Sequence, residues 1–399
     1  MEISIYSLAS CLHQEDEIKK QGIKFLNEIE KLTTHHFKLI NEEEIKDYAF
    51  TLIFVQTGGV EGEFLNHIQY FTQPYILLTY GHNNSLAASM EILSYIKDKN
   101  YDGEILHGDY SYIANKINEY AMIFNALQNI RGQKLGVIGK PSDWLIASQI
   151  DENTCKALYG IEFIHLSIDE LCNEYKKIDF LPSNNFIYEN KSELNNATKM
   201  SQSIIKICDK YQLKGLTIRC FDLLSKVKTT GCLGLSALND LRYVGTCEGD
   251  IPIMLSMIIV KNLLNVPSFQ ANPSQIDLKN KNMIFAHCTL PLSMCDSYEL
   301  DTHFESKIGV ATHGVMKTGI VTIFKLSNDL KNYYVQTAKL VENLYENNLC
   351  RTQIKLHFTD DMSYFLKRPY GNHHIIIYGD HTSIINQFML QIKNKKEII

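Results

Sequence analysis

Thr246-Cys247-Glu248-Gly249-Asp250, followed by Ile251-Pro252 and an apolar run to Leu264, decides how this chain folds. The stretch reads as the carboxyl end of a strand, a short polar loop and the start of a strongly apolar helix, one step of a strand-helix alternation. Asp250 stands where a helix N-cap belongs, its carboxylate placed to accept from first-turn amides. Pro252 is tolerated that early because its missing N–H has no helical partner to lose. Glu248 has no such local employment and is free to project beyond the strand.

Outward from this loop, five more strands run out into polar ends: Gln56-Thr57-Gly58-Gly59-Val60-Glu61, Tyr80-Gly81-His82-Asn83-Asn84-Ser85, Arg219-Cys220-Phe221-Asp222, Gln270-Ala271-Asn272-Pro273 and His287-Cys288-Thr289. Ligands of open α/β sheets sit beyond the carboxyl ends of strands, so repeated Glu, His, Asn and Arg there mark a site. Strands are predicted at Ile3–Leu8, Phe50–Gln56, Tyr75–Thr79, Lys134–Ile138, Gly215–Cys220, Gly231–Leu235 and Asn282–Ala286. Helices are predicted at Glu17–Leu32, Ser85–Lys97, Tyr110–Ile130, Ser192–Tyr211 and Ile251–Asn265. This alternation implies mostly parallel sheets covered by helices. Ile130-Arg131-Gly132-Gln133 leads into Leu135-Gly136-Val137-Ile138-Gly139, which sets a boundary near residue 132 and gives an α/β unit over 1–132 and a second over 133–288. From 289 to 399 the texture becomes β-rich, with pieces such as Gly319–Phe324, Arg351–Ile354 and His374–Tyr378, and a closing helix around Ile384–Ile392.

The composition excludes several classes. The 399 residues, 45% of them apolar, suffice for two or three cored domains at roughly 100 to 200 residues each. The net charge of −6 comes from 39 basic and 45 acidic side chains, well mixed, with no basic block, so nucleic acid and anionic membrane surfaces are poor partners. Ten cysteines without CxxC spacing read as reduced thiols of a cytosolic protein. Met1 to Cys11 lacks a basic flank and meets Gln14-Glu15-Asp16-Glu17, which reads as a first strand and not a secretory signal. The longest apolar run, Ile251 to Leu264, is interrupted by Ser256, Lys261 and Asn262 and falls short of the roughly 20 residues a bilayer span needs. A cytoplasmic protein is expected.

The chemistry-bearing residues gather around Glu248. His287 ends an apolar strand, where the ordinary reading is a hydrogen-bonded core histidine. Gly371-Asn372-His373-His374 precedes another apolar strand, and alternation along that strand turns one ring into a site and the next away. Asn272, before Pro273, is ordinary turn chemistry taken alone. One carboxylate and two imidazoles, with an amide or carboxylate oxygen as a fourth ligand, suit a borderline divalent ion such as Mn²⁺ and leave positions open for substrate oxygens. Trp144, the only tryptophan, sits at a strand-to-helix turn where it stacks on a pyranose or plugs an interface. Arg219 and Arg351 bind an anionic substrate group or pair internally. His303 and Glu305 share one face of an extended segment and suggest a lined pocket.

Taken together, Thr57-Gly58-Gly59 with Glu61, Asn83-Asn84-Ser85, Pro141-Ser142-Asp143-Trp144-Leu145, Cys247-Glu248-Gly249-Asp250, Ala286-His287-Cys288-Thr289, His303-Phe304-Glu305-Ser306, Cys350-Arg351-Thr352-Gln353 and Gly371-Asn372-His373-His374 resemble the L-fucose/L-arabinose isomerase superfamily, most closely its shorter fucose-isomerase-like branch. The resemblance covers nearly the whole chain. It implies two Rossmann-like doubly wound domains followed by a β-barrel-like domain, assembled as a trimer or hexamer with sites between subunits. It also implies an aldose–ketose isomerase that passes a small sugar through an ene-diol with Mn²⁺. Glu248 would be metal ligand and acid/base, with His287 and His373 or His374 as further ligands. Thr57, Glu61, Asn84, Trp144, Arg219, His303, Glu305 and Arg351 would be sugar contacts. The family's second acidic ligand falls on Asn272, which removes a negative charge and a base, a loss that Asp277 could make good, or Asp250 if it is not tied up as a cap.

Two other classes fit parts of the pattern. A sugar-binding or sensor protein would share the tandem α/β units without needing the His-rich tail. A metal-free racemase or epimerase would use the strand-end thiols of Cys220, Cys247 and Cys288.

Overall fold

The computed structural model describes residues 2–11, 15–48, 50–179, 186–241 and 243–394; Met1 and Gln14, used above in reading the amino terminus, lie outside them. The chain forms two compact units that divide between Ala126 and Leu127, the end of the last helix being counted with the first.

The first unit is built on a parallel sheet of β1 (Glu2–Leu8), β2 (His36–Ile40), β3 (Thr51–Val55), β4 (Tyr75–Thr79) and β5 (Gly103–Leu106) in the order β2-β1-β3-β4-β5. The inner strands are apolar on both faces. Leu52 to Val55 and Ile76 to Leu78 are all buried, as a sheet covered by helices on both sides demands.

The second unit begins with another parallel sheet, β6 (Lys134–Ile138), β7 (Glu162–Leu166), β8 (Leu213–Ile218) and β9 (Val244–Cys247), in the order β7-β6-β8-β9. Its chain then enters the helix Ile251–Leu264, which is buried nearly all round and packs against β8 and β9. The same helix packs against the structure that follows, a closed barrel. That barrel comprises β10 (Phe269–Asp277), β11 (Asn282–His287), β14 (Gly319–Leu326), β15 (Tyr333–Asn343), β16 (Thr352–His357) and β17 (His374–Tyr378), while β12 (Cys295–Asp301) and β13 (Ala311–Met316) form a separate two-stranded sheet. Every barrel pairing is antiparallel, and closure comes from β10 pairing with both β11 and β17. Phe269, Ala271, Phe285, Ile323, Ile354, Leu356 and Ile376 fill the interior. The expected α/β architecture with a β-rich carboxyl-terminal part is thus the one observed. Among the described residues no helix is long and apolar enough to cross a membrane.

Four expectations are corrected. Gly231–Leu235 is not a strand: Gly231 precedes the helix Cys232–Asp240, because a short apolar run has no period by which to tell the two apart. Asn282–Ala286 does not close a parallel sheet, since β11 lies between β10 and β16 in the barrel, which therefore starts before the expected boundary at 288/289. Asn272 does not end a strand; β10 continues through an irregularity between Pro273 and Gln275 to Asp277. The ten cysteines are not all thiols. Cys247 ends β9, paired with Ile218 at the end of the neighbouring parallel strand β8, and Cys220 lies two residues beyond Ile218, which brings the two Cα atoms to 6.2 Å, and they are disulfide-bonded.

Candidate functional site

Barrel closure assembles the site. Ala271 of β10 pairs with His374 of β17, and Asn272 pairs with Ala286 of β11, so the two histidine-bearing segments flank the same short piece of β10. His287, the last residue of β11, and His373, just ahead of β17, therefore meet edge to face with ring centroids 5.5 Å apart. Glu248 arrives from the end of β9 on a backbone with φ +67°, and Gly249 follows at φ +73°. A side chain on Gly249 would lie 2.7 Å from the Lys140 carbonyl and the Pro141 Cα, so the loop after β6 presses directly on the Glu248 turn. Gly249→Ala should cost about 1–3 kcal/mol through strain and collision and push that loop away; thermal melting and the emission of the single tryptophan on the loop would register both, and an unchanged melting curve would contradict the close approach.

Among the described residues Glu248, His287 and His373 each offer a ligand atom such that all three lie within 4.8 Å of one another. Asp250 organises them from behind. It is fully buried, its Oδ1 accepts from the Ile253 N–H at 3.0 Å as the cap of the helix Ile251–Leu264, and its Oδ2 lies 2.9 Å from His373 Nδ1. The Nζ of Lys325, on the barrel strand β14 and also fully buried, is 3.5 Å from the same Oδ2. His373 Nε2 is left facing Glu248 Oε1 at 3.7 Å with no hydrogen-bond partner. His287 Nδ1 is 2.9 Å from Thr289 Oγ1, and Trp144 Nε1–H donates to Glu248 Oε2 at 2.7 Å.

The protonation states follow from these contacts. Burial raises a carboxyl, but the neighbouring His373, its ring nitrogen 3.7 Å from Oε1, and then the Trp144 N–H outweigh it and hold Glu248 down at about 2. For Asp250 burial is likewise outweighed, by Lys325 and then His373, and its carboxyl stays well below the usual range. Burial would lower His373, yet Asp250 and Glu248 together raise it to about 9. Burial, then the charge of His373, pushes His287 down to about 3. The arrangement fits a divalent cation. A buried His373 nitrogen without a hydrogen-bond partner, a ligand once it gives up its proton, the neutral imidazole of His287 and an ionised carboxylate oxygen form an N₂O donor set, and the Asp250–His373 contact is the carboxylate–histidine support common behind metal ligands.

The other residues singled out in the sequence are placed as follows. His374 turns away from Glu248: its Nδ1 is 2.9 Å from the Asn372 carbonyl, its Nε2 is 3.0 Å from Tyr364 Oη, and its ring packs among Phe285, Tyr334, Tyr364 and Phe365. Asn272 Oδ1 accepts from Asn372 Nδ2 at 3.0 Å. Asp277 cannot stand in for a missing carboxylate, because it lies at the opposite end of β10, tied to Asn280 in the turn to β11. Arg219 pairs internally, 2.7 Å from Asp143 and 3.1 Å from Asp222. Arg351 is held by Asp301 and by Thr302, through its carbonyl and hydroxyl. His303 and Glu305 sit in a turn closed by Lys307 N–H donating to the His303 carbonyl, and not on an extended segment; His303 packs edge-on against Phe221. Thr57, Glu61 and Asn84 belong to the first unit. Thr57 accepts from the Ser10 N–H, Glu61 opens the helix Glu61–His67, and Asn84 precedes the helix Ser85–Asp98. Cys247, in its disulfide, offers no thiol for proton abstraction. Lys325 is the functional residue the sequence reading does not single out, and its signal is a lysine between Phe324 and Leu326 in a strand with no other charged residue.

No family model matches the chain. The sulfoquinovose isomerases of Priestia aryabhattai and of Priestia megaterium are each 22% identical to it over 387 residues, spanning 86% of this chain and 85% of theirs.

Proposed function

We propose that this protein is an aldose–ketose isomerase that holds a divalent cation, Mn²⁺ for choice, between Glu248, His287 and His373 and carries an aldose through an ene-diol. The observation that supports it most is the meeting of those three side chains from strand ends far apart in the chain, with a buried His373 Nε2 that has no hydrogen-bond partner and faces Glu248 Oε1. Similarity to sulfoquinovose isomerases over most of the chain points the same way and makes a sulfonated aldose the first substrate to try. The trimer or hexamer implied by the resemblance belongs to the same proposal.

Isomerisation moves a proton between neighbouring carbons while the hydroxyl and carbonyl oxygens exchange roles. A bound divalent cation supplies Lewis acidity at those oxygens, acidifying the intervening C–H. Glu248 is ionised above about pH 2 and so would present an anionic Oε1 to the cation while Trp144 keeps Oε2 in place. His287, neutral and steadied by Thr289, and His373, steadied by Asp250, present ring nitrogens in fixed directions. Asp250 itself is a positioning residue, since its Oδ1 is engaged by the Ile253 N–H and its Oδ2 by His373 and Lys325.

The test is incubation of Mn²⁺-supplemented protein in deuterated water with sulfoquinovose, neutral aldoses, deoxy-sugars and uronic acids. Ketose with deuterium at the adjacent carbon is expected from at least one; neither ketose nor exchange with any of them would refute the isomerase reading. A second expectation concerns protons. Without a cation His373 is protonated below about pH 9, whereas a ligand imidazole must give up its Nε2 proton. Cation binding at neutral pH should therefore release about one proton, and affinity should rise with pH up to that value and level off above it. Calorimetry in buffers of different ionisation heat measures the release, and none at all would remove His373 from the ligand set.

A further inference from the structure

The Glu248 carboxylate is aimed by a loop outside its own strand. Between β6 and the helix Glu152–Tyr159, Ser142 N–H donates to the Glu248 carbonyl at 2.9 Å and Trp144 Nε1–H to the Glu248 Oε2 at 2.7 Å, so one short segment grips both ends of the residue. That segment is itself held. Arg219, at the end of β8, donates from Nη1 to the Pro141 carbonyl at 2.8 Å and pairs through Nη2 with Asp143 at 2.7 Å. Trp144 is 53% exposed, yet its one polar atom is committed inward, and its ring is steadied edge-on by Phe221 at 5.1 Å. An indole left half in water is poorly explained as packing. Its hydrogen bond to a carboxylate on a left-handed backbone explains its place, since without it the Glu248 side chain could rotate and offer either oxygen.

We propose that Trp144 is a positioning residue that occupies Glu248 Oε2 and so leaves Oε1 alone to face the cation, with Arg219 as the clamp that keeps the loop in register. The proposal rests on the cation reading of Glu248, His287 and His373. A carboxylate engaged through one oxygen takes one coordination position instead of two, which leaves room for two adjacent sugar oxygens. The sequence expectation of Arg219 as an anion receptor is replaced by this indirect role, because its guanidinium is spent on Pro141, Asp143 and Asp222.

Because Trp144 is the only tryptophan, its emission reads the contact directly. Wild type, Glu248→Gln, Trp144→Phe, Trp144→His and Arg219→Met, each checked for fold by circular dichroism, would be titrated with Mn²⁺ alone, following free Mn²⁺ by electron paramagnetic resonance and, where tryptophan remains, emission. Trp144→Phe should weaken Mn²⁺ binding by about 10- to 100-fold, Trp144→His, which keeps a ring N–H, should recover most of it, and Arg219→Met should fall between wild type and Trp144→Phe. Before any metal is added, the emission of Glu248→Gln should already differ from wild type. Trp144→Phe with Mn²⁺ affinity within twofold of wild type would overturn the proposal, as would identical metal-free emission from wild type and Glu248→Gln. Failure of wild type to bind Mn²⁺ would overturn the cation reading and with it Trp144's role toward a cation, whereas binding by wild type with no loss in Trp144→Phe would overturn only the role of Trp144.

Discussion

Glu248→Gln should abolish both metal retention and turnover while leaving the fold in place. The substitution keeps an oxygen for the Trp144 N–H and keeps His373 paired with Asp250, so neither the loop after β6 nor the barrel end loses its anchor. What disappears is the only carboxylate among the three converging side chains. Two neutral imidazoles then face the cation with no anion to balance it, and binding should weaken by more than about a hundredfold, beyond the range seen when only a supporting residue is changed. His373 also loses one of the two carboxylates that raise it, so its imidazole should titrate below the wild-type value of about 9. Metal content after dialysis, sugar turnover and a histidine-resolved NMR titration test these three consequences separately. Normal turnover by the variant would remove Glu248 from the chemistry altogether.

Much of this arrangement is legible in the sequence, and the parts that are not share physical causes. The inner strands announce themselves as apolar runs, and the cap-proline-apolar succession from Asp250 marks the start of its helix to the residue. The strands left unread in the two parallel sheets, His36–Ile40, Gly103–Leu106 and Glu162–Leu166, are all edges, where mixed exposure breaks the hydrophobic run that identifies a central strand. Glu248, His287 and the His373-His374 pair stand out because strand ends carry polar side chains for a reason. Their meeting is not legible, since it depends on β10 pairing with two strands that lie far apart in the sequence, Asn282–His287 and His374–Tyr378, and no local pattern records barrel closure. The Cys220–Cys247 bond escaped for the same reason: a separation of 27 residues means nothing until β8 and β9 are known to be neighbours. Arg219 and Arg351 illustrate the converse. Their residue type suggested an anion receptor, but each found its carboxylate within the chain.

Asp250→Asn should be the most destabilising single change at the site, and the loss should be largely undone by removing Lys325. Asparagine caps a helix about as well as aspartate, so the bond to the Ile253 N–H survives and the charge is what is lost. Lys325 then remains in the interior, 1% exposed, with no anion within reach, and breaking a buried pair in this way costs about 3–5 kcal/mol. Burial already lowers the Lys325 ammonium below its ordinary value despite Asp250, and without Asp250 it should fall further. A lysine whose folded value lies below its unfolded one binds fewer protons when folded, so the Asp250→Asn protein should gain stability as pH rises from the new folded value toward the unfolded one. Exchanging Lys325 for methionine in the same chain removes the stranded charge and keeps the volume, so the double variant should be more stable than Asp250→Asn alone. Its affinity for Mn²⁺ should nonetheless stay about 10- to 100-fold below wild type, because His373 still lacks the carboxylate that orients it. Urea unfolding and Mn²⁺ titration of wild type, both single variants and the double variant separate the two effects. A cost below about 1 kcal/mol for Asp250→Asn would show that the buried pair is not formed, and recovery of metal affinity in the double variant would show that Asp250 acts on the site only through Lys325.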